Sequence, residues 1–293
     1  MRDSRCPGAE RFVQPMFRKV HLFNYLCLPA LILLAAIWLR DHRPPLGTRP
    51  ATAGVRWVPV VLPPITDGRA RLAGAWRLQS NESRLGGFSG LAIDRGRLLA
   101  VTDSGMLAWL PTPPGPGRAT LRPLPAVSGN PRTKIGRDSE ALARDPRGGW
   151  WVAFEQHHQL IRYDSEFGDA LQRIDVDDPG FRRNRGIEAL RVEGTQIRWF
   201  AESSGVSDAA SLPDGRRLLL HRGWGLKGAR AALSGLGGPE IRLPVGPLDN
   251  AEGLAARMLP SGSTRLWIVT DNDFRPWRRT LVMAVDLAAD DQR

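Results

Sequence analysis

One phrase recurs along this chain, and its spacing limits the possible folds more than any other feature. It reads GGFSGLAID from Gly86, RDSEALARD from Arg137, NRGIEALRV from Asn184 and DNAEGLAAR from Asp249. Each copy has a polar turn, then Ser or Glu, then a small residue and Leu. Short apolar runs follow: RLLAVTDSG from Arg97, GWWVAFEQ from Gly149, QIRWFAESS from Gln196 and RLWIVTDND from Arg265. Each unit therefore reads as a strand, a tight turn and a second strand.

The key residues Ser89, Glu140, Glu188 and Glu252 lie 51, 48 and 64 positions apart. That spacing is the size of a four-stranded propeller blade and longer than most solenoid repeats. Gly/Pro-rich turns separate the phrases, and no stretch carries helical apolar periodicity for long, which disfavours bundles and α/β folds. The expected fold is all-β, a β-propeller of five to six blades, six favoured, with one degenerate. The degenerate unit is a fifth phrase, SDAASLPDGRRLLLHRG from Ser207, which places Asp208 only 20 positions after Glu188.

Upstream of the repeats, Leu22 to Leu39 is free of charge for 18 residues and flanked by Arg18, Lys19 and Arg40. This is about the least that crosses a hydrocarbon core of roughly 30 Å. It reads as a single transmembrane signal anchor in a bacterial inner membrane, with residues 1–21 as a cytoplasmic tail. The Pro/Arg-rich stretch 40–64 reads as a linker, and 65–293 as the propeller domain in the periplasm. Both cysteines, Cys6 and Cys27, precede that domain, so its stability rests on packing and sheet closure, not on a disulfide. The net charge of +11 is nearly all Arg, with Lys only at 19, 134 and 227. No aromatic-plus-basic motif accompanies it, so nucleic acid is not an expected partner.

In a propeller, residues at one repeat position converge on one face. Glu140, Glu188, Glu252, Ser89 and Asp208 would then form an oxygen-rich ring. Carboxylates held together raise one another's pKa unless a cation sits between them, and Ca²⁺ takes about six to eight oxygen ligands. A divalent cation, Ca²⁺ first, resolves that strain; the architectural alternative has each Glu cap a turn or bond a neighbouring backbone. A second set closes the hairpins: Asp103, Glu155, Glu202, and Asp271, Asn272 and Asp273 beside Phe274 and Trp277. Asp and Asn are ordinary turn formers too, but Asp271 and Asp273 join Glu140, Glu188 and Glu252 as candidate metal ligands. Arg137, Arg185 and Lys134 sit near the ring carboxylates and could hold phosphate oxygens through charge-assisted bonds. Of the neighbours His157 and His158, at most one faces a site. No G-x-S-x-G elbow supports a serine hydrolase, and GWGLKGARAALSGLGG from Gly223 has no strand-to-helix context for a nucleotide loop.

The phrases resemble the bacterial family of phytase-like proteins with esterase-like activity. The resemblance is carried by GGFSGLAIDRGRLLAVTDSG, DSEALARDPRGGWWVAFEQHHQLIRYD, NRGIEALRV and DNAEGLAARMLPSGSTRLWIVTDNDFRPWRRTL, over about Gly86 to Leu287. It implies a propeller and cation-assisted hydrolysis of a phosphoester or ester, with Glu140, Glu188, Glu252, Arg137 and Arg185 as catalytic candidates. Ser207 to Leu212 departs from the family pattern, with Asp208 where the resemblance implies Glu. Two functions stay open: a membrane-anchored hydrolase of a small phosphoester or ester, and a non-catalytic propeller that binds a ligand or partner protein. Phytate suits neither well, because no dense Lys/Arg cluster is visible along the chain.

Overall fold

The computed structural model describes residue 29 and residues 48–130, 132–181, 185–212 and 214–288. The chain divides into a unit of residues 1–43 and a unit of residues 44–293. Apart from Pro29, the expected anchor lies outside the described residues. No described helix is long and apolar enough to cross a membrane.

The second unit is all-β. Strands β3 (Phe88–Asp94), β4 (Arg97–Thr102), β5 (Met106–Leu110) and β6 (Gly117–Pro123) form an antiparallel meander. The same order repeats in β7 (Ser139–Arg144), β8 (Trp150–Phe154), β9 (Gln159–Tyr163) and β10 (Ala170–Asp175). A two-stranded group follows, β11 (Ile187–Glu193) with β12 (Gln196–Ala201). Next come β13 (Val206–Ser211), β14 (Arg217–Gly225), β15 (Gly228–Ser234) and β16 (Ile241–Arg242). The last group, β17 (Asn250–Met258), β18 (Thr264–Asp271) and β19 (Leu281–Leu287), is completed by β2 (Ala70–Gln79) from the start of the unit. Sheet closure thus ties the two ends of the unit together without a disulfide.

The first strands β3, β7, β11, β13 and β17 pack side by side in ring order, and all five line one cavity of about 360 Å³. Five apolar clusters lie between successive groups. One joins Leu99 and Trp109 to Val152 and Phe154; another joins Leu218, Leu220 and Leu233 to Leu254, Ile268 and Met283. Inner strands are therefore covered on both faces, which is why β4 carries the unbroken run Leu98, Leu99, Ala100 and Val101, all fully buried.

Two expectations need correction. The supposed linker 40–64 contains β1 (Ala51–Pro59), which pairs with both β2 and β6 and fuses the first and last groups into a nine-stranded sheet. Its alternation buries Val55 and Trp57 inside a stretch whose prolines suggested a spacer. The close spacing of Glu188 and the Ser207 phrase does leave one group short: β11–β12 has two strands, while the group headed by the Ser207 phrase has four. So few residues separate Glu188 from the next first strand that only one hairpin fits. Among the described residues there are five groups, and none makes the sixth that was favoured.

Candidate functional site

The repeated phrase acquires its meaning from a register shift. Every first strand has a β-bulge at the same place: between Phe88 and Gly90, Ser139 and Ala141, Ile187 and Ala189, Val206 and Asp208, and Ala251 and Gly253. The bulged residues are Ser89, Glu140, Glu188, Ser207 and Glu252. A bulge redirects a side chain without ending the strand, so one position per repeat is turned out of the ladder. Ser207, not Asp208, occupies that position in the fourth group.

Asp208 instead takes the place of the small residues Gly90, Ala141, Ala189 and Gly253, near the ring's centre. Its carboxylate accepts bonds from Leu254 N at 2.6 Å, Leu91 N at 3.4 Å and its own neighbour Ala209 N at 2.7 Å. The serines are also latches: Ser89 Oγ donates to Ser139 O at 2.5 Å, and Ser207 Oγ to Ala251 O at 2.9 Å. Ser89 and Asp208 therefore join first strands to one another and are not free ligands of the ring.

A second set of equivalent positions lies at or just past the end of the second strand of each group, except in β14, where the strand runs on to Gly225. Asp103 N donates to Gly87 O, Glu155 N to Asp138 O, Glu202 N to Gly186 O and Arg222 N to Gly205 O, at 2.9 to 3.1 Å. Asp271 stands opposite Asn250 in the same way. Four of the five are acidic, and the fifth is Arg222, which the sequence reading missed. Its guanidinium donates through Nη2 to Glu188 Oε2 at 2.9 Å and through Nη1 to Glu252 Oε1. The signal was present: Arg222 ends the apolar run RLLLHR just as Asp103 and Glu155 end theirs.

The two sets converge into clusters. Carboxylate oxygens of Asp138, Glu140 and Glu155 lie within 4.8 Å of one another, as do those of Glu155, Glu188 and Glu202. Burial pushes Glu155 up to about 7, with Asp138 and Glu188 adding to it against a bond from Gly186 N. Burial likewise pushes Glu140 well above the usual carboxylate range, reinforced by Asp138 and Glu188 and opposed by Lys134. No described group donates a hydrogen bond to the Glu140 carboxylate, and Glu202 Oε2 is buried without one. At Glu252 burial raises the carboxyl while Arg222 pulls it down. Burial opposes the charge on Arg222, but Glu252 and Glu188 outweigh it.

A neighbouring acidic group forms around Asp103. Lys134, on the short helix α1 (Lys134–Arg137), reaches Asp138 Oδ1 at 2.6 Å and Asp103 Oδ2 at 3.2 Å. Burial lifts Asp103 to about 6 despite that lysine. Gly87 has φ +60, and a Cβ there would lie 2.6 Å from Asp103 Oδ1, so only glycine lets the strand pass this carboxylate. Asp271 accepts from Asp273 N at 2.9 Å, and burial, then Asp273, raises its pKa. Asp273 is paired with Arg278, with Arg275 at 3.7 Å. Asn272 Oδ1 accepts from Gly87 N and Phe274 N, both at 3.1 Å, which makes it a strut between the last and first groups.

The structure thus brings Glu140 and Glu188 together through Glu155. It places Glu252 against Arg222, and Asp271 with Asp273 in a separate pair. Arg137 is directed away from the carboxylates: its buried guanidinium donates to Ser104 O at 2.7 Å and Gly105 O at 2.8 Å. Arg185 is mostly exposed, its Nε 3.7 Å from Glu202 Oε2. His158 packs on Phe181 with ring centroids 4.7 Å apart.

Comparison with known proteins adds the following. Residues 83–203 match the family described as Phytase-like, esterase-like activity of phytase. The stretch from Asp249, which also carries the resemblance, lies outside the matched residues. No curated protein matches the chain. Among solved structures, Myxococcus xanthus glutaminyl cyclase is similar at 11% identity and a TM-score of 0.44, over 80% of this chain and 99% of that one. A putative gluconolactonase aligns at 13% identity and 0.38, over 84% and 96%. Virginiamycin B lyase from Staphylococcus aureus, with quinupristin, aligns at 11% and 0.35, over 78% and 80%. At these scores the three likenesses decide neither fold nor function.

Proposed function

We propose that this phytase-like chain is a divalent-cation-dependent hydrolase of a phosphoester or related ester, built as a five-bladed propeller and tethered to a bacterial inner membrane with its globular unit in the periplasm. The observation that carries the reading is the pair of carboxylate triads sharing Glu155, built from the second and third strand groups. The five-blade count is supported by the five strand groups, the ring of first strands and the closing strand β2. The tether rests on the uncharged segment Leu22 to Leu39 alone.

The donor set suits a hard cation such as Ca²⁺. Every candidate ligand is a carboxylate oxygen, and among the described residues Glu202 Oε2 is buried without a hydrogen-bond donor, its nearest cation being Arg185 at 3.7 Å. Asp138, Glu140, Glu155, Glu188 and Glu202 would hold the ion or ions. Such an ion supplies Lewis acidity that activates water and polarises an ester oxygen. Glu155 belongs to both triads and would be the shared ligand, its raised carboxyl giving up its proton when an ion binds. Arg222 holds Glu188 and Glu252 in place, and exposed Arg185 at the rim offers a fork to a phosphate oxygen.

The test is hydrolysis of p-nitrophenyl phosphate, bis-p-nitrophenyl phosphate and p-nitrophenyl acetate by the full chain, with chelator and with added Ca²⁺. Cation-dependent turnover that drops about 10²-fold in Glu155→Gln, with an unfolding midpoint in chelator that does not fall, is the expected result. No turnover on any of the three, with a melting temperature that still rises on adding Ca²⁺, would favour the binding propeller instead.

A further inference from the structure

The short group β11–β12 leaves part of the next sheet uncovered, and the side chains on that face are basic. Cross-strand register places His221 opposite Ala232 and Ala232 opposite Arg242, with Gly223 opposite Arg230 one step along. Side chains two apart on a strand share a face, so His221, Arg230 and Arg242 lie together. At the inner end of this face Leu219 clusters with Ala189, Val206, Ala209 and Phe200. Farther out the sheet β11–β12 has no third strand, and a cleft of about 620 Å³ opens, lined among others by His221, Arg222, Lys227, Arg230, Arg242 and Glu240.

Most arginines in this protein are paired with a carboxylate or a carbonyl, as Arg222 is. Lys227, Arg230 and Arg242 have no such partner among the described residues. Glu240 is the acidic residue of the cleft, and its carboxylate stands 3.9 Å from His221 Nε2, not beside the cations. Glycine shapes the floor: a Cβ on Gly223 would meet nothing within 4 Å, and one on Gly225 would lie 2.5 Å from Arg230 Nη2. The guanidinium of Arg230 is thus laid across a backbone that only glycine leaves bare.

We propose that this cleft is an oxyanion site that takes a phosphate-bearing ligand. Three unpaired cations in a concave surface concentrate positive potential, and the planar forks of Arg230 and Arg242 match phosphate oxygens two at a time. The volume falls within the range of small-molecule sites, roughly 300–1,000 Å³. The cluster is invisible along the chain because Lys227, Arg230 and Arg242 are separated by neutral residues and meet only through the β14–β15–β16 ladder. Arg222 borders both the cleft and the carboxylate ring, so a ligand held here would have its other end near the acidic mouth. The inference does not depend on hydrolysis or on a metal.

The experiment is titration calorimetry of the full chain with inorganic pyrophosphate in chelator, repeated with sulfate. Arg230→Glu, Arg242→Glu and Gly225→Ala are compared with Arg257→Glu, an equal charge change at an exposed position on β17. Saturable pyrophosphate binding is expected, weakened by about tenfold or more in both cleft arginine variants and unchanged in Arg257→Glu. Gly225→Ala retains the charge and is expected to weaken binding by displacing Arg230. Sulfate that binds as tightly as pyrophosphate would make the site one for oxyanions in general and overturn the phosphate assignment. Absent binding, or equal loss in Arg257→Glu, would overturn the site itself.

Discussion

Asp208 shows what a single residue can do in the bore of a ring of strands. One carboxylate on β13 receives amides from β17 and β3, so it pins three first strands at a depth where the other groups supply only Gly or Ala. Asp208→Ala would leave the amides of Leu254 and Leu91 buried without an acceptor. A loss of about 2–4 kcal/mol is expected in urea unfolding, against a smaller one for Asp208→Asn, which keeps an acceptor oxygen. Equal midpoints for Asp208→Ala and wild type would show that the pin is dispensable. This role was not legible in the sequence. Periodicity finds the phrase, but only the register shift between Val206 and Asp208 shows that Ser207 fills the ring position. Arg222 was legible by its position at the end of RLLLHR, but a pattern of acidic residues at such positions hides the one that is a guanidinium. Glu140 and Glu188, by contrast, were legible directly, since the bulge recurs at a fixed offset from each turn.

Among the elements, β1 was the least legible and is the easiest to test. The prolines and arginines of the stretch around it resemble a spacer, yet Val55 and Trp57 enter the cluster shared by the first and last groups, and Trp57 Nε1 donates to Pro111 O at 3.0 Å. Trp57→Ala should cost about 3–5 kcal/mol, as loss of a buried indole does. Arg56→Ala, on the exposed face of the same strand, should change stability by no more than about 0.5 kcal/mol. Equal, small effects at both positions would return the segment to the status of a linker. The hairpins β3–β4, β7–β8, β11–β12 and β17–β18 were readable because each couples an apolar run to a turn signal within a few residues. The outer strands were less so: β10 has five of its six residues exposed and depends on its pairing with β9. Group number was misjudged for a related reason, since spacing between phrases counts residues and not the strands they form.

At the scale of the whole molecule, the ring of groups gathers acidic side chains at one mouth, and the cost of that gathering predicts how the protein responds to pH and to cations. Burial raises Glu155 to about 7 and Asp103 to about 6, above the values near 4 to 4.5 that the same carboxyls have in an open chain. A carboxyl whose folded pKa is raised binds its proton more tightly in the native state. Its penalty on stability is therefore absent below about pH 4, grows as pH rises, and is complete only above the folded pKa. For Glu155 the rise to about 7 corresponds to on the order of 2 kcal/mol once the group is ionised, solvent at the mouth screening part of the cost. In chelator, the unfolding free energy should fall from about pH 4.5 to about pH 8, most steeply between about pH 5 and pH 6, where both carboxyls are ionised in the open chain and still largely protonated in the fold. Glu155→Gln removes one of the titrations in that window and should make the curve shallower. Added Ca²⁺ should flatten it as well, because an ion held by Asp138, Glu140, Glu155, Glu188 and Glu202 replaces the protons that otherwise relieve their repulsion. A chelated protein whose stability is level or rising across this range would mean that the carboxylates are already balanced by the cations of the chain, Arg222 and Lys134 foremost. The mouth would then be a closed electrostatic network with no need of an ion.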